Sequence, residues 1–181
     1  PIVKQLVEKM GGTITVESKL GEGSCFTVVI PFEIDTNAKP DEKKDFNEDI
    51  SGIRVLLAED NELNAEIAEF MLTESGAEVE TVNNGLEAVQ HFEASEPGTY
   101  DVILMDVMMP VMDGLTATRT IRALERQDAK TIPIIAITAN AFKEDAEKCI
   151  EAGMNAHIAK PLNDEKIKQT ISEELRRNGD S

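Results

Sequence analysis

The sequence predicts an α/β fold, a doubly wound five-stranded parallel sheet, in residues 52–181. Five short apolar runs alternate there with five segments whose apolar residues recur at helical spacing. The runs are nearly continuous, as expected for strands that are buried on both faces of a parallel sheet. Such alternation is typical of a sheet that is covered by helices on both sides and connected by right-handed crossovers.

Each predicted strand is short and is bounded by turn or helix-start residues. The strands run from Ile53 to Ala58, Ala77 to Val82, Val102 to Met105, Ile132 to Ile137 and Ala156 to Ala159. Each is followed by a helix with one apolar face. In chain order these faces consist of Leu63, Ile67, Phe70 and Met71; Leu86, Val89 and Phe92; Leu115, Thr118, Ile121 and Leu124; Phe142, Ala146, Cys149 and Ile150; and Ile167, Ile171 and Leu175.

Residues 1–32 have a different pattern. Apolar residues at helical spacing from Ile2 to Met10 predict a helix that Gly11-Gly12 ends. Two alternating segments around a glycine-rich turn then predict a β-hairpin. One helix and one hairpin cannot enclose a core, so with Pro1 first we expect the end of a larger domain from a longer protein. Residues 33–51 are polar and aperiodic, which predicts a solvated linker.

The composition argues against several classes of protein. The formal net charge is −17, and such a surface repels phosphate backbones, so we expect no binding to nucleic acid. No apolar run approaches the roughly 18 residues that span a bilayer, so we expect no membrane contact by this chain. Cys25 and Cys149 lack metal-ligand spacing, and we expect free, buried thiols in a reducing cytosol.

Polar residues stand where four of the five predicted strands end. Glu59 and Asp60 follow the first strand and Asp106 the third, while Thr138 follows the fourth and Lys160 the fifth. All strands of a parallel sheet end on the same side, so we expect these residues to meet.

The chemistry of this set suits a metal-assisted phosphoryl acceptor. Three crowded carboxylates raise one another's pKa unless a cation compensates, and oxygen ligands favour magnesium. A hydroxyl and an ammonium are donors for phosphoryl oxygens. A carboxylate next to magnesium, with such donors opposite, can accept the group as an aspartyl phosphate.

Each residue of the set also has a purely structural interpretation. Glu59-Asp60 fits a charge pair at a helix N-terminus, and Asp106 fits a polar end of a strand. Thr138 fits a helix N-cap, and Lys160 fits a solvated lysine before a turn. These interpretations do not explain why every member falls at a strand end.

Residues 53–177 resemble the receiver domain of response regulators along their whole length. The motifs are LLAEDN for the acidic pair, VILMDVMMPVMDG for the acceptor, PIIAITA for Thr138 and AKPL for Lys160. The resemblance implies a flavodoxin-like strand order, 2-1-3-4-5. It also implies that Asp106 accepts a phosphoryl group from a phosphohistidine, that Thr138 and Lys160 contact that group, and that the Lys160-Pro161 bond is cis.

The same resemblance implies a magnesium site. Asp60 and Asp106 would bind the ion directly, Glu59 mainly through water, and the Met108 backbone carbonyl would be a further protein ligand. The side chains of Met108 and Asn140 would flank the path of the hydrolytic water.

Thr138 and His157 occupy the positions of the family's switch residues. On phosphorylation Thr138 and its loop would move toward the phosphate. His157 replaces the commoner Tyr or Phe, so it is either a rotating switch that is sensitive to pH or a fixed surface imidazole.

The first 32 residues resemble the C-terminal part of the ATP-binding domain of sensor histidine kinases, over IVKQLVEKMGGTITVESKLGEGSCFTVVIPF. The nucleotide-binding boxes of that domain lie upstream and are missing here, so we expect no nucleotide site. This order implies a hybrid sensor histidine kinase: residues 1–32 end the kinase domain, 33–51 form the linker and 52–181 form the receiver.

The expected partners are a histidine kinase dimerisation and phosphoacceptor domain and a histidine phosphotransfer protein. The expected location is the cytoplasm, with the inner membrane as a potential anchor of the parent protein.

Two other functions remain open. One is a receiver-fold module that binds proteins and is not phosphorylated; the complete polar set disfavours it. The other is a phosphohydrolase of the haloacid dehalogenase type, whose Asp-x-Asp motif is not matched by Asp106-Val107-Met108.

Overall fold

The computed structural model describes residues 2–19, 21, 23–32, 49–139 and 143–179. They fall into two compact units, one within residues 1–44 and the other within residues 45–181. Most of the predicted linker, residues 33–48, lies outside the described residues, and so do Asn140 and Phe142.

The first unit consists of one helix and one hairpin, as predicted. Helix α1 (Ile2–Lys9) precedes strands β1 (Thr13–Lys19) and β2 (Gly23–Val29), which pair antiparallel. A side chain at Gly12 would place its Cβ 2.4 Å from the carbonyl oxygen of Val29, so this connection requires glycine. Cys25 is exposed on β2, and the prediction that it is buried is therefore wrong.

The second unit alternates strands and helices. Its elements are β3 (Arg54–Ala58), α2 (Glu62–Glu74), β4 (Glu78–Val82), α3 (Gly85–Ala94), β5 (Val102–Asp106), α4 (Gly114–Ala123), β6 (Ile134–Thr138), α5 (Lys143–Ala152), β7 (Ala156–Ala159) and α6 (Asp164–Gly179). All neighbouring strands are parallel, in the order β4-β3-β5-β6-β7. This is the predicted 2-1-3-4-5 topology.

Successive strand residues point to opposite faces of the sheet, and each face has its own core. Leu56, Ile103 and Met105 pack on the side that carries Phe92 of α3 and Ile121 of α4. The other face packs against α2 and α6, with Leu57, Leu104, Leu72 and Ile167 among its buried residues. Ile50, within the segment predicted as linker, is buried in this second core.

Helix α2 does not bury most of its large apolar side chains. The residues that α2 buries are Ala65, Ala68 and Leu72. Leu63, Ile67 and Phe70, which the sequence places on one face, are exposed and form an apolar stripe on the outside of the helix. The helix exists as predicted, but small residues rather than large ones face the sheet.

Candidate functional site

Three carboxylates converge at the carboxyl ends of β3 and β5. Oxygen atoms of Glu59, Asp60 and Asp106 lie within 4.8 Å of one another, and we call these residues the acidic cluster. Adjacent strands bring them together, because β3 pairs in parallel with β5. Glu59 and Asp106 are buried, with 1% and 4% of their surface exposed, whereas Asp60 is exposed.

Lys160 reaches this cluster from the end of β7. Its Nζ donates to Oε2 of Glu59 at 2.6 Å and to Oδ2 of Asp106 at 2.5 Å. The Lys160-Pro161 bond is cis, as predicted. One ammonium thus neutralises part of the charge of two buried carboxylates.

Burial and hydrogen bonding have opposite effects on the pKa values of both Asp106 and Lys160. Burial raises the pKa of the Asp106 carboxyl, and the hydrogen bonds from Lys160 and the Met108 amide reduce that rise without cancelling it. Burial alone would lower the pKa of Lys160, but its bonds to Asp106 and Glu59 outweigh that effect, so the pKa lies above the usual value. Lys160 therefore stays charged at neutral pH.

The loop after β5 holds the Asp106 carboxylate from the other side. The Met108 backbone N–H donates to Oδ1 of Asp106 at 2.9 Å, while 75% of the Met108 residue is exposed. Gly114 begins α4 against this loop, and a Cβ there would lie 2.1 Å from the Asp106 carbonyl oxygen. The glycine of the Asp113-Gly114 motif is thus explained by a backbone approach that leaves no space for a side chain.

Thr138 is buried at the end of β6, next to the end of β5 in the sheet. Its carbonyl accepts from the Lys160 N–H at 2.8 Å, so the backbone joins these two predicted residues directly. His157 lies on β7 with an exposed side chain and lines a groove of about 580 Å³ between α5 and α6.

Comparison of the sequence with models of known families identifies the family of the chain. The family model for the response regulator receiver domain matches residues 55–172. The chain belongs to the response regulator receiver domain family.

A solved receiver domain shares this fold over most of the second unit. The receiver domain of sensor histidine kinase PA1611 from Pseudomonas aeruginosa PAO1 is 41% identical, with a TM-score of 0.63 over 70% of this chain and 99% of that one. That structure is described as having a magnesium ion coordinated in its active site cleft.

Curated relatives extend the match beyond the receiver. Aerobic respiration control sensor protein ArcB of Escherichia coli K12 is 35% identical over 162 residues, which are 89% of this chain and 20% of that protein. Hybrid signal transduction histidine kinase L of Dictyostelium discoideum is 36% identical over 161 residues, 88% of this chain and 9% of that protein. The chain spans about a fifth of the length of ArcB and about a tenth of the length of the Dictyostelium kinase.

Asn64 contacts the acidic cluster, although the sequence did not indicate this contact. Its Nδ2 donates to Oε1 of Glu59 at 3.0 Å. The position of Asn64 in the sequence could have indicated this contact, because Asn64 stands in the first turn of the helix that begins directly after the acidic pair.

No helix in the described part of the chain is both long and apolar enough to cross a bilayer.

Proposed function

We propose that Asp106 is the phosphoacceptor of this receiver and takes a phosphoryl group from a phosphohistidine in a magnesium-dependent reaction. The observation that carries the proposal is the contact of Lys160 with Glu59 and Asp106 inside the acidic cluster. A carboxylate oxygen of Asp106 attacks phosphorus, the phosphorus–nitrogen bond breaks, and the imidazole leaves with the electron pair. The product is an acyl phosphate on Asp106.

The acidic cluster fits a hard divalent cation. Its oxygen ligands and its density of negative charge, of which Lys160 neutralises only part, suit magnesium better than a softer metal. Asp60, Asp106 and the Met108 carbonyl would bind the ion directly, and Glu59 mainly through water. When bound, the ion would supply charge neutralisation for the phosphoryl oxygens.

The chain's own residues orient the acceptor. The Met108 amide holds Oδ1 of Asp106 and Lys160 holds Oδ2, so the carboxylate is fixed before the donor arrives. Lys160 and the Thr138 hydroxyl would then donate to the transferred group. Movement of Thr138 toward that group, with rotation of His157, would alter the surface formed by α5, β7 and α6.

We propose two protein partners for phosphoryl transfer to and from the receiver. One is the dimerisation and phosphoacceptor domain of a histidine kinase, and the other is a histidine phosphotransfer protein. The apolar stripe of Leu63, Ile67 and Phe70 supports this proposal, because it lies on the helix that begins next to the cluster. An exposed apolar patch beside a reactive group is suited to docking a protein surface rather than a small donor.

We also propose that residues 1–32 end the ATP-binding domain of a hybrid kinase, that 33–51 link it to the receiver, and that 52–181 are the receiver. Support comes from the match to ArcB, which covers 89% of the chain and therefore exceeds the receiver. Exposed Val16 and Phe26 on the hairpin are suited to packing against further parts of such a domain. A kinase that uses ATP implies a cytoplasmic location for this part of the protein.

Intact mass after incubation with magnesium and acetyl phosphate tests the proposed acceptor. We expect one added phosphoryl group on the parent chain, and none on Asp106→Asn or on the parent chain with a chelator. Addition to Asp106→Asn would refute the assignment. If the parent chain gains no mass and also fails to bind beryllofluoride, which needs no turnover, the phosphoacceptor function itself is wrong.

A further inference from the structure

The buried Glu59 carboxylate is held at both of its oxygens. Lys160 donates to Oε2 at 2.6 Å, and the Asn64 side-chain amide donates to Oε1 at 3.0 Å. The Asn61 backbone N–H approaches Oε1 as well, at 3.4 Å. Because Glu59 is only 1% exposed, these protein donors replace the water that an exposed carboxylate would have.

Asn64 is itself fixed by the start of α2. The Asn61 side chain caps the helix by accepting from the Asn64 backbone N–H at 3.1 Å. Asn64 also lines a small cavity together with Ile67, Lys160, Pro161 and Leu162. The amide is therefore directed at Glu59 by the backbone of the helix, and its neighbours restrict the alternatives.

The two donors to Glu59 differ in what they do to a cation. Lys160 carries a positive charge, so it competes electrostatically with any metal for the cluster oxygens. The Asn64 amide is neutral, so it orients Glu59 without adding charge that opposes the metal. Removal of groups that orient the direct ligands of a metal usually changes metal affinity about 10–100-fold. Glu59 would act mainly through water, so the lower end of this range applies to Asn64.

We infer that Asn64 is a positioning residue, which fixes the Glu59 carboxylate so that the acidic cluster can bind its divalent cation at low concentration. This inference rests on the proposed magnesium-dependent function and adds a residue from α2 to it. Asn64 acts through Glu59 and has no contact with the reacting atoms. Its removal should therefore weaken metal binding while leaving the phosphorylation rate nearly unchanged once metal is saturating.

Calorimetric titration of the metal-free chain with magnesium tests the inference. We expect Asn64→Ala to raise the Kd for magnesium about tenfold. At saturating magnesium, the rate of phosphorylation by acetyl phosphate should stay within about threefold of the parent. Alanine is favourable inside a helix, so the fold should tolerate the change.

Asn155→Ala is the matched control. The Asn155 side chain accepts from the Ile134 N–H and from Arg122, each at 2.9 Å, at the opposite end of the sheet. This variant loses hydrogen bonds of an asparagine without touching the cluster, so its magnesium Kd should equal that of the parent. If both variants weaken magnesium binding equally, or if Asn64→Ala leaves it unchanged, the inference is overturned.

The outcomes separate this inference from the function on which it rests. A parent chain that binds magnesium and is phosphorylated, with an unchanged Kd in Asn64→Ala, overturns only the role of Asn64. A parent chain that binds no magnesium overturns both.

Discussion

The Nζ of Lys160 lies 2.5 Å from Oδ2 of Asp106, although 54 positions separate the two residues in the chain. The same nitrogen lies 2.6 Å from Glu59. In this arrangement the ammonium bonds to oxygens of the cluster that we propose as the magnesium site. We therefore expect Lys160 to stabilise the metal-free receiver and to compete with a bound metal.

Lys160→Met tests both consequences. Two buried carboxylates lose their compensating charge, so in chelator the free energy of unfolding should fall by about 3 kcal/mol. Magnesium should then stabilise the variant more than the parent, because the competing ammonium is gone. Urea unfolding of both chains, with chelator and with magnesium, measures the two effects.

Lys168→Met is the control for that experiment. Lys168 pairs with Asp164 at 2.6 Å on α6, away from the cluster. Its loss should cost about 0.5 kcal/mol and leave the response to magnesium unchanged. An equal response to magnesium in Lys160→Met and the parent would contradict the competition between lysine and metal.

Gly114→Ala should disrupt the loop that follows Asp106. The new Cβ would lie 2.1 Å from the Asp106 carbonyl oxygen and 2.9 Å from the Met105 side chain, so the backbone of Asp106 must move. We expect a loss of about 3 kcal/mol in unfolding free energy and slower phosphorylation. Gly179→Ala, at a position with open space around it, should change stability by less than about 0.5 kcal/mol. Equal stability of the two variants would show that the loop adapts at little cost.

The topology and most of the site could be predicted because they follow from local rules. Continuous apolar strands predict a parallel sheet, and a parallel sheet brings its strand ends together. The positions of Glu59, Asp106 and Lys160 needed no further information. The cis bond at Lys160-Pro161 came instead from the resemblance to receivers.

The parts that were missed depend on contacts between distant or chemically ordinary residues. Leu63 and Ala65 lie on opposite faces of α2, and hydropathy alone favours the larger side chain as the buried one. The inner face accepts alanine because the helix packs closely on the sheet. Asn64 was missed because an asparagine in the first turn of a helix is usually read as part of a cap.

The pair of Tyr100 and Glu80 gives the receiver an acid-sensitive contact. Tyr100 donates to Oε2 of Glu80 at 2.5 Å, and His91 lies 2.6 Å from Oε1. The bond from Tyr100, followed by that from His91, holds the pKa of Glu80 below its usual value. A lowered carboxyl pKa stabilises the fold above the unfolded-state pKa, and this contribution is lost as pH falls through the lower folded-state pKa.

Tyr100→Phe should therefore have an effect that depends on pH. Near pH 7 we expect a loss of about 1 kcal/mol in unfolding free energy, modest because Glu80 is partly exposed to solvent. The difference from the parent should shrink as pH falls from about 4.5, the usual pKa of a glutamate, through the lower folded-state pKa of Glu80. Urea unfolding at neutral and acidic pH measures it, and a difference that does not vary with pH would rule out Glu80 as the cause.

Val111 is strained in the loop after Asp106, and Val111→Gly should relieve that strain. Its φ is +66°, which a β-branched residue rarely adopts, and the Met112 N–H closes a three-residue turn on the Pro110 carbonyl at 2.7 Å. Because 79% of Val111 is exposed, glycine removes little buried surface. We expect unfolding free energy to rise by about 1 kcal/mol, with a smaller rise in Val111→Ala, which keeps its Cβ. A loss of stability in the glycine variant would mean that the Val111 side chain makes contacts worth more than the strain it imposes.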